Sequence, residues 1–162
     1  MAVDVNAFKA AMRHYPTGVT VVTSLHEREP RGMTANAFAS VSADPPTVLV
    51  CVNREARSYL YIASSRIFCV NVLSAEQQAL AERFASGMRD KQFEGITHRS
   101  ASTGAPILDG ALAYFDCEVE QEHHAGSHSI FIGRVIDCAA SSSGSPLGYF
   151  DGSFRDFNLN IE

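Results

Sequence analysis

No run of lysine or arginine occurs in this chain, and its formal net charge is −5. Binding to a phosphate backbone needs a basic stripe or patch, so nucleic acid is not an expected partner. Long apolar runs are missing as well. Between Met1 and Val22 the apolar residues are interrupted by Asp4, Lys9, Arg13 and His14, which leaves neither a signal-peptide core nor a membrane span. The expectation is a cytoplasmic protein with no membrane partner. Cysteine is sparse: Cys51, Cys69, Cys117 and Cys138 lie far apart with no Cys-x-x-Cys spacing, each inside an apolar strand-like run. They read as buried free thiols in a reducing compartment.

The motifs of several common chemistries are also absent. None of the 11 glycines stands in a Gly-x-Gly-x-x-Gly or a phosphate-loop arrangement, so neither a Rossmann fold nor a P-loop is expected. No Gly-x-Ser-x-Gly elbow exists, and no cysteine sits in an electropositive context, which leaves hydrolase chemistry without a nucleophile. His123, His124 and His128 crowd one turn, but neighbouring histidines on a strand point to opposite faces. Glu122 and His124 would supply only two ligands, so no metal site is expected. Asp116, Glu118 and Glu120 alternate with Phe115, Cys117 and Val119, a pattern that describes a strand with one buried and one wet face rather than paired catalytic carboxylates.

What is present is a chain of 162 residues, 46% apolar and 19% charged, the composition of an ordinary folded protein. A single domain over residues 1–162 suffices, since a chain of this length can bury about two-thirds of its unfolded surface in one core. Asp4 can cap a short amphipathic helix carrying Phe8, Ala11, Met12 and Tyr15, which Pro16 and Gly18 stop. The runs Val19–Ser24, Met33–Ser42, Thr47–Val52 and Phe68–Leu73 then read as strands, with Asp44-Pro45-Pro46 as a turn. Helices are expected over Glu55–Ser64 and from Ser74, where Ser74 and Gln77 have capping-box spacing, to Gly87. A long hairpin follows, pairing the Phe115–Glu120 strand with Ile130–Cys138 around a tip at His124–His128. Many short strands, few helices and no βαβ alternation point to an antiparallel barrel.

Two segments carry candidate chemistry. In Gly32–Ser42, small and hydroxyl residues crowd where bulk would stabilise a core, which leaves room for a flat ligand; Thr34, Asn36, Ser40 and Ser42 offer donors and acceptors to its polar edge. A polar edge strand explains the same residues without a ligand. In Asn53–Ser58, two guanidinium groups and a hydroxyl cluster at a helix N-terminus, a seat for phosphate or simply a solvated helix end.

The ordered blocks PTGVTVVTS (16–24), GMTANAFASVSADPPTVLVCVNREARS (32–58), FCVNVLSAEQQALAERFA (68–85), DKQFEG (90–95), GAPILDGALAYFDCEVE (104–120), HSIFIGRV (128–135) and PLGYFDGSF (146–154) span nearly the whole chain. With them the sequence resembles the short-chain flavin reductase family. The resemblance implies a mainly β, antiparallel FMN-binding split β-barrel with a few short flanking helices. It implies an NAD(P)H:flavin oxidoreductase that reduces FMN or FAD with NADH or NADPH and supplies an oxygenase component.

By the same resemblance Thr34, Ala35 and Asn36 line the isoalloxazine ring, and Ser40, Val41 and Ser42 accompany its polar and ribityl parts. Cys51, Val52 and Asn53 back the pocket, Arg57 and Ser58 take the flavin phosphate, and Phe84 closes a wall. Phe154 belongs to the cofactor site as well. Gly126-Ser127-His128 matches the family's Gly-Asp-His triplet, with His128 positioning the nicotinamide. Three positions depart: Ser127 replaces the aspartate, Asp151 stands where an arginine is common, and Gly148 where a bulkier residue is. A homodimer is implied, with flavin at the subunit boundary. A flavin carrier or sensor without nicotinamide-dependent activity is the alternative, and a related split-barrel oxidase of a phosphorylated B-vitamin amine a third reading.

Overall fold

β-branched residues crowd the runs Thr20–His26, Pro46–Asn53 and Ile67–Val72, while glycine, proline and small polar residues mark many strand ends, and the backbone follows that division. The computed structural model describes residues 2–87 and 91–157; Asp90 of the sixth block lies outside them. In chain order the elements are α1 (Val5–Arg13), β1 (Thr17–Gly18), β2 (Thr20–His26), β3 (Glu29–Ala35), β4 (Phe38–Ala43) and β5 (Pro46–Asn53). There follow α2 (Arg57–Ser65), β6 (Ile67–Val72), a single 3-10 turn (Ala75–Gln77), α3 (Gln78–Ala85), β7 (His98–Ser100) and β8 (Pro106–Leu108). The chain finishes with β9 (Ala113–Ala125), β10 (His128–Ala140), β11 (Leu147–Phe150) and β12 (Ser153–Asp156). The fold is mainly β and antiparallel, as expected. No described helix is long and apolar enough to cross a membrane.

The main sheet has seven strands in the order β3-β2-β6-β9-β10-β5-β4. Its two edges, β3 and β4, are consecutive in the chain and are joined by Asn36 and Ala37 alone. A flat sheet with about 4.8 Å between strands would hold those edges nearly 30 Å apart, whereas the link reaches only about 10 Å. The sheet must therefore curl until its edges meet along a seam that carries no ladder, which is a split barrel. Its core bears this out: Met33 and Ala35 from one edge and Phe38 from the other pack on the same cluster of Val22, Val50, Phe68 and Phe131. A second cluster, with Val19, Val21, Leu73, Phe84 and Leu147, lies where α3 and the small β1-β11-β12 sheet cover the barrel.

Four expectations need correction. The run Met33–Ser42 is two strands, because the chain crosses the seam at Asn36-Ala37 and exchanges one edge for the other. Asp116 is not on a wet face but fully buried. The pairing of β9 with β10 shifts register between Val135 and Asp137, next to Asp116, and the Thr103 loop covers the carboxylate with bonds from its N–H (2.8 Å) and Oγ1 (2.6 Å). Burial still dominates and pushes the Asp116 carboxyl above its ordinary range. Of the four thiols only Cys69 and Cys117 are buried, and Cys138 is exposed, because the far end of the β9–β10 hairpin runs beyond the core. Arg54, finally, does not face the helix end; its role is given below.

The capping readings hold. Asp4 Oδ1 accepts from Ala7 N at 2.9 Å, and the Ser74–Gln77 box is complete, with Ser74 N donating to Gln77 Oε1 at 3.1 Å. Helix α1 nevertheless buries no residue: Phe8 and Met12 are 59% and 48% exposed. Its apolar face joins none of the core clusters of the described residues.

Candidate active site

The seam creates the site. Strand β4 pairs with β5 between Pro46 and Val50, and Cys51 N–H still donates to Ala37 O at 3.0 Å; beyond it β5 has no β4 partner, and Cys51, Val52 and Asn53 line a cleft of about 620 Å³. Opposite stands β3, an edge strand whose outer backbone groups have no ladder partner; such an edge presents donors and acceptors to whatever lies along it. Thr34, Ala35, Asn36 and Ala37 form the ledge between the two walls. Two alanines here keep the ledge shallow enough for a planar ring to approach the backbone. The Thr34 hydroxyl donates to Ala81 O, so its proton is committed to holding β3 against α3 and only its lone pairs remain for a ligand.

Phe84 closes the cleft from α3. Gly32 is what allows this, since a Cβ there would lie 2.7 Å from Phe84 Cε1. Phe93 packs edge-on against Phe84 with centroids 5.1 Å apart, and the ring is 3% exposed. At the far end of the cleft is the N-terminus of α2. Its N-cap, Ala56, contributes no side-chain bond, so Arg57 and Ser58 border the cleft beside uncapped N–H groups, the arrangement that receives anionic oxygen. Arg54 is removed from it: its Nη2 donates to Gly126 O at 2.6 Å and its N–H to Ser127 O at 3.0 Å. The second guanidinium expected at the helix end instead ties the β9–β10 turn to the segment leading into α2.

That tie explains how a residue far along the chain reaches the site. His128 is paired with Asn53 across β10 and β5, which sets its ring at the cleft wall, and Ser127 Oγ lies 2.9 Å from its Nδ1. Gly126 and Ser127 themselves stay in the exposed turn outside the cleft. The hairpin is further held by Glu122, which accepts from Ser129 Oγ at 2.9 Å and faces His124 Nε2 at 3.2 Å. Burial pushes the Glu122 carboxyl up, but bonds from Ser129, Tyr59 and His124 prevail and hold it below the usual range. Burial also raises the Cys51 thiol, which makes Cys51 a neutral wall rather than a nucleophile.

A second hollow of about 480 Å³ shares Thr34, Ala35, Asn36 and Ala85 with the first and continues it on the other side of the ledge. Phe154 lies there, edge-on to Tyr149 with centroids 5.6 Å apart. Two departures find local reasons nearby. Gly148 accommodates the ring of Phe157, which occupies the space a side chain would need, and Asp151 takes a left-handed φ of 49°, a conformation short polar side chains tolerate. Ser40, Val41 and Ser42 lie outside both hollows, exposed on β4; a register shift between Ser40 and Ser42 turns Val41 outward. Sequence reading missed Arg31, Tyr61, Gln92 and Tyr149 as lining residues. Only Tyr61 had a signal, its four-residue spacing from Arg57 on one helix face. Among the described residues no group of three or more His, Cys, Asp or Glu could hold a metal ion.

A split barrel with a small-residue ledge in its seam and an uncapped helix end beside an arginine defines a binding fold for a flat, phosphorylated ligand. The family model described as flavin reductase like domain matches residues 12–158. A flavin reductase of Pseudomonas putida is 38% identical over 157 residues, spanning 96% of this chain and 92% of that one. The HsaB reductase subunit of a flavin-dependent monooxygenase from Rhodococcus jostii (strain RHA1) is 39% identical over 153 residues, spanning 94% and 78%. Among solved structures, the NADH:FAD oxidoreductase SgcE6 of Streptomyces globisporus C-1027, in complex with NAD and FAD fragments, superposes with a TM-score of 0.91 at 35% identity, covering 100% of this chain and 99% of that one. The chain belongs to the flavin reductase family.

Proposed function

We propose that this single-domain protein is an NAD(P)H-dependent flavin reductase that passes reduced FMN or FAD to an oxygenase component. The observation that carries the reading is the seam cleft, in which the Thr34–Asn36 ledge and the Arg57–Ser58 helix end lie on one continuous surface. A bound flavin and nicotinamide supply the hydride chemistry themselves, which accounts for a site built without an acid–base pair. The protein's work is alignment. The ledge holds one face of the ring against the backbone, Cys51–Asn53 stand behind it, Phe84 keeps water from one side, and Arg57 with Ser58 bind the phosphate. His128, oriented by Ser127, positions the nicotinamide, and Phe154 bounds the ring's far side. Holding reacting atoms at near-attack distance of about 3–3.5 Å is the main demand.

The reading includes a homodimer. Phe8 and Met12 on α1, Tyr15 just beyond it and Val41 on the β4 edge are exposed apolar residues that none of the described residues covers, and a second copy is the partner that fits such a self-contained face. Ser40, Val41 and Ser42 are assigned to that boundary. A cytoplasmic location accords with four unpaired cysteines and with a supply of reduced nicotinamide.

The test is a steady-state matrix of NADH and NADPH against FMN, FAD and riboflavin. Nicotinamide oxidation should require added or bound flavin. Flavin binding without oxidation by any pair would make the protein a carrier, and no binding at all would remove the flavin reading. Sedimentation should give a dimer; a stable monomer that binds flavin would overturn the boundary assignment.

A further inference from the structure

The functions assigned above leave Arg31 unused, although it borders the same cleft as Arg57. It projects from β3, and its guanidinium carbon lies 5.8 Å from the centroid of the Tyr61 ring on α2. Tyr61 follows Arg57 by four residues, so the two share one face of the helix a turn apart, about 6 Å along its axis. Behind Tyr61 stands His26, with ring centroids 4.9 Å apart, which fixes the platform beneath the guanidinium.

The donors of Arg31 are largely unspent. Nη1 bonds only the adjoining carbonyl of Pro30, at 2.9 Å, and Nε is buried with no hydrogen-bond partner among the described residues. No carboxylate among them pairs with it. Arg66 and Arg83 differ in their terminal nitrogens: Arg66 Nη2 reaches Val119 O at 3.0 Å, and Arg83 Nη2 reaches the carbonyls of Lys91 and Glu94, both at 2.6 Å, although Arg83 Nε is also without a partner among the described residues. A planar fork laid over an aromatic ring, with donors to spare and a cavity in front of it, suits a phosphate oxygen pair.

We propose that Arg31, seated on Tyr61, forms a subsite for the second phosphate of a dinucleotide flavin, so that the cleft binds FAD in preference to FMN. The inference rests on the flavin reading of the cleft. The first phosphate meets Arg57 and Ser58, which satisfy it without help. Arg31 borders the same cleft and lies over the residue one helical turn beyond Arg57, where its fork can meet a phosphate linked to the first.

The experiment is a fluorescence titration of the full-length protein with FAD, FMN and riboflavin, without nicotinamide, for wild type, Arg31→Met and Arg31→Lys. Methionine keeps an unbranched stem over Tyr61 and removes the fork. Arg31→Met should weaken FAD about tenfold, the size of one charge-assisted bond at a partly exposed site, and shift FMN and riboflavin less than about twofold. Arg31→Lys should recover part of the loss. Equal losses for FAD and FMN would overturn the subsite, and so would unchanged FAD binding. A changed NADPH to NADH ratio of kcat/KM in Arg31→Met, with flavin affinities intact, would give Arg31 to the nicotinamide nucleotide and also overturn it. Wild type that binds none of the three would sink the flavin reading itself, a distinct result.

Discussion

Replacing Gly32 by alanine tests whether the wall of the cleft is set by backbone contact. The new Cβ would lie 2.7 Å from Phe84 Cε1 and 2.8 Å from Cδ1, whereas carbon atoms rest at about 3.5–4.0 Å. Roughly 1 Å of movement is required. Phe84 cannot easily supply it, since the ring is 3% exposed and bounded by Phe93 at 5.1 Å, and the Thr34–Ala81 bond fixes β3 against α3. Overpacking of this kind costs about 1–3 kcal/mol, and at this chain length each kcal/mol lowers Tm by about 2–4 °C. Gly32→Ala should therefore lose about 2–12 °C in a thermal melt at fixed protein concentration. If β3 yields instead of the ring, the Thr34–Asn36 ledge moves with it, so flavin affinity should fall as well. The decisive comparison is the same substitution in a Phe84→Leu background, where the ring is gone and the added cost should drop below about 0.5 kcal/mol. Equal losses in both backgrounds, or no loss in either, would refute the contact.

Three further outcomes follow from the site. Arg57→Ala should weaken FMN and FAD about five- to thirtyfold and riboflavin hardly at all, because only the first two carry a phosphate for a charge-assisted bond; equal losses in a fluorescence titration would remove the phosphate assignment. Ser127→Asp places a carboxylate beside His128, where it can accept from ribose hydroxyls and repel a 2′-phosphate. The NADPH to NADH ratio of kcat/KM should fall roughly three- to thirtyfold, and a constant ratio with weakened flavin binding would assign the turn to the flavin pocket. Glu122 is held below its ordinary range in the folded chain, so folding releases protons from it and its contribution to stability is present above the unfolded carboxylate value and is lost as pH falls through the folded one. The urea stability gap between wild type and Glu122→Gln should be open at pH 7, begin to narrow near the ordinary carboxylate value of about 4.3 and close only below the folded value; a gap that is unchanged with pH would mean that charge is not what the site uses.

Local chemistry was readable wherever neighbours in sequence decide it. The Asp4 cap, the Ser74–Gln77 box and the two arms of the long hairpin depend on turn chemistry and side-chain periodicity that short segments carry within themselves, and each appears where the residues place it. The small-residue character of Thr34–Ala37 and the place of Arg57 and Ser58 at a helix N-terminus were legible for the same reason. The departures at Ser127, Gly148 and Asp151 were visible only as residue identities, with no indication of what surrounds them.

The sequence by itself determined a mainly β antiparallel chain with a ligand ledge and a helix end able to receive phosphate, because periodicity, capping and turn chemistry act over a few residues. Closure was decided elsewhere. That Met33–Ser42 breaks into two edges, that Arg54 leaves the helix end for Gly126, that Asp116 is buried and that Arg31 comes to lie over Tyr61 all follow from contacts between segments tens of residues apart. Alternation along β9 could not reveal the Thr103 loop that covers Asp116, and no spacing rule brings His128 beside Asn53. Such neighbours are chosen by the curling of a seven-stranded sheet whose edges a two-residue link draws together, a global constraint that no single segment expresses.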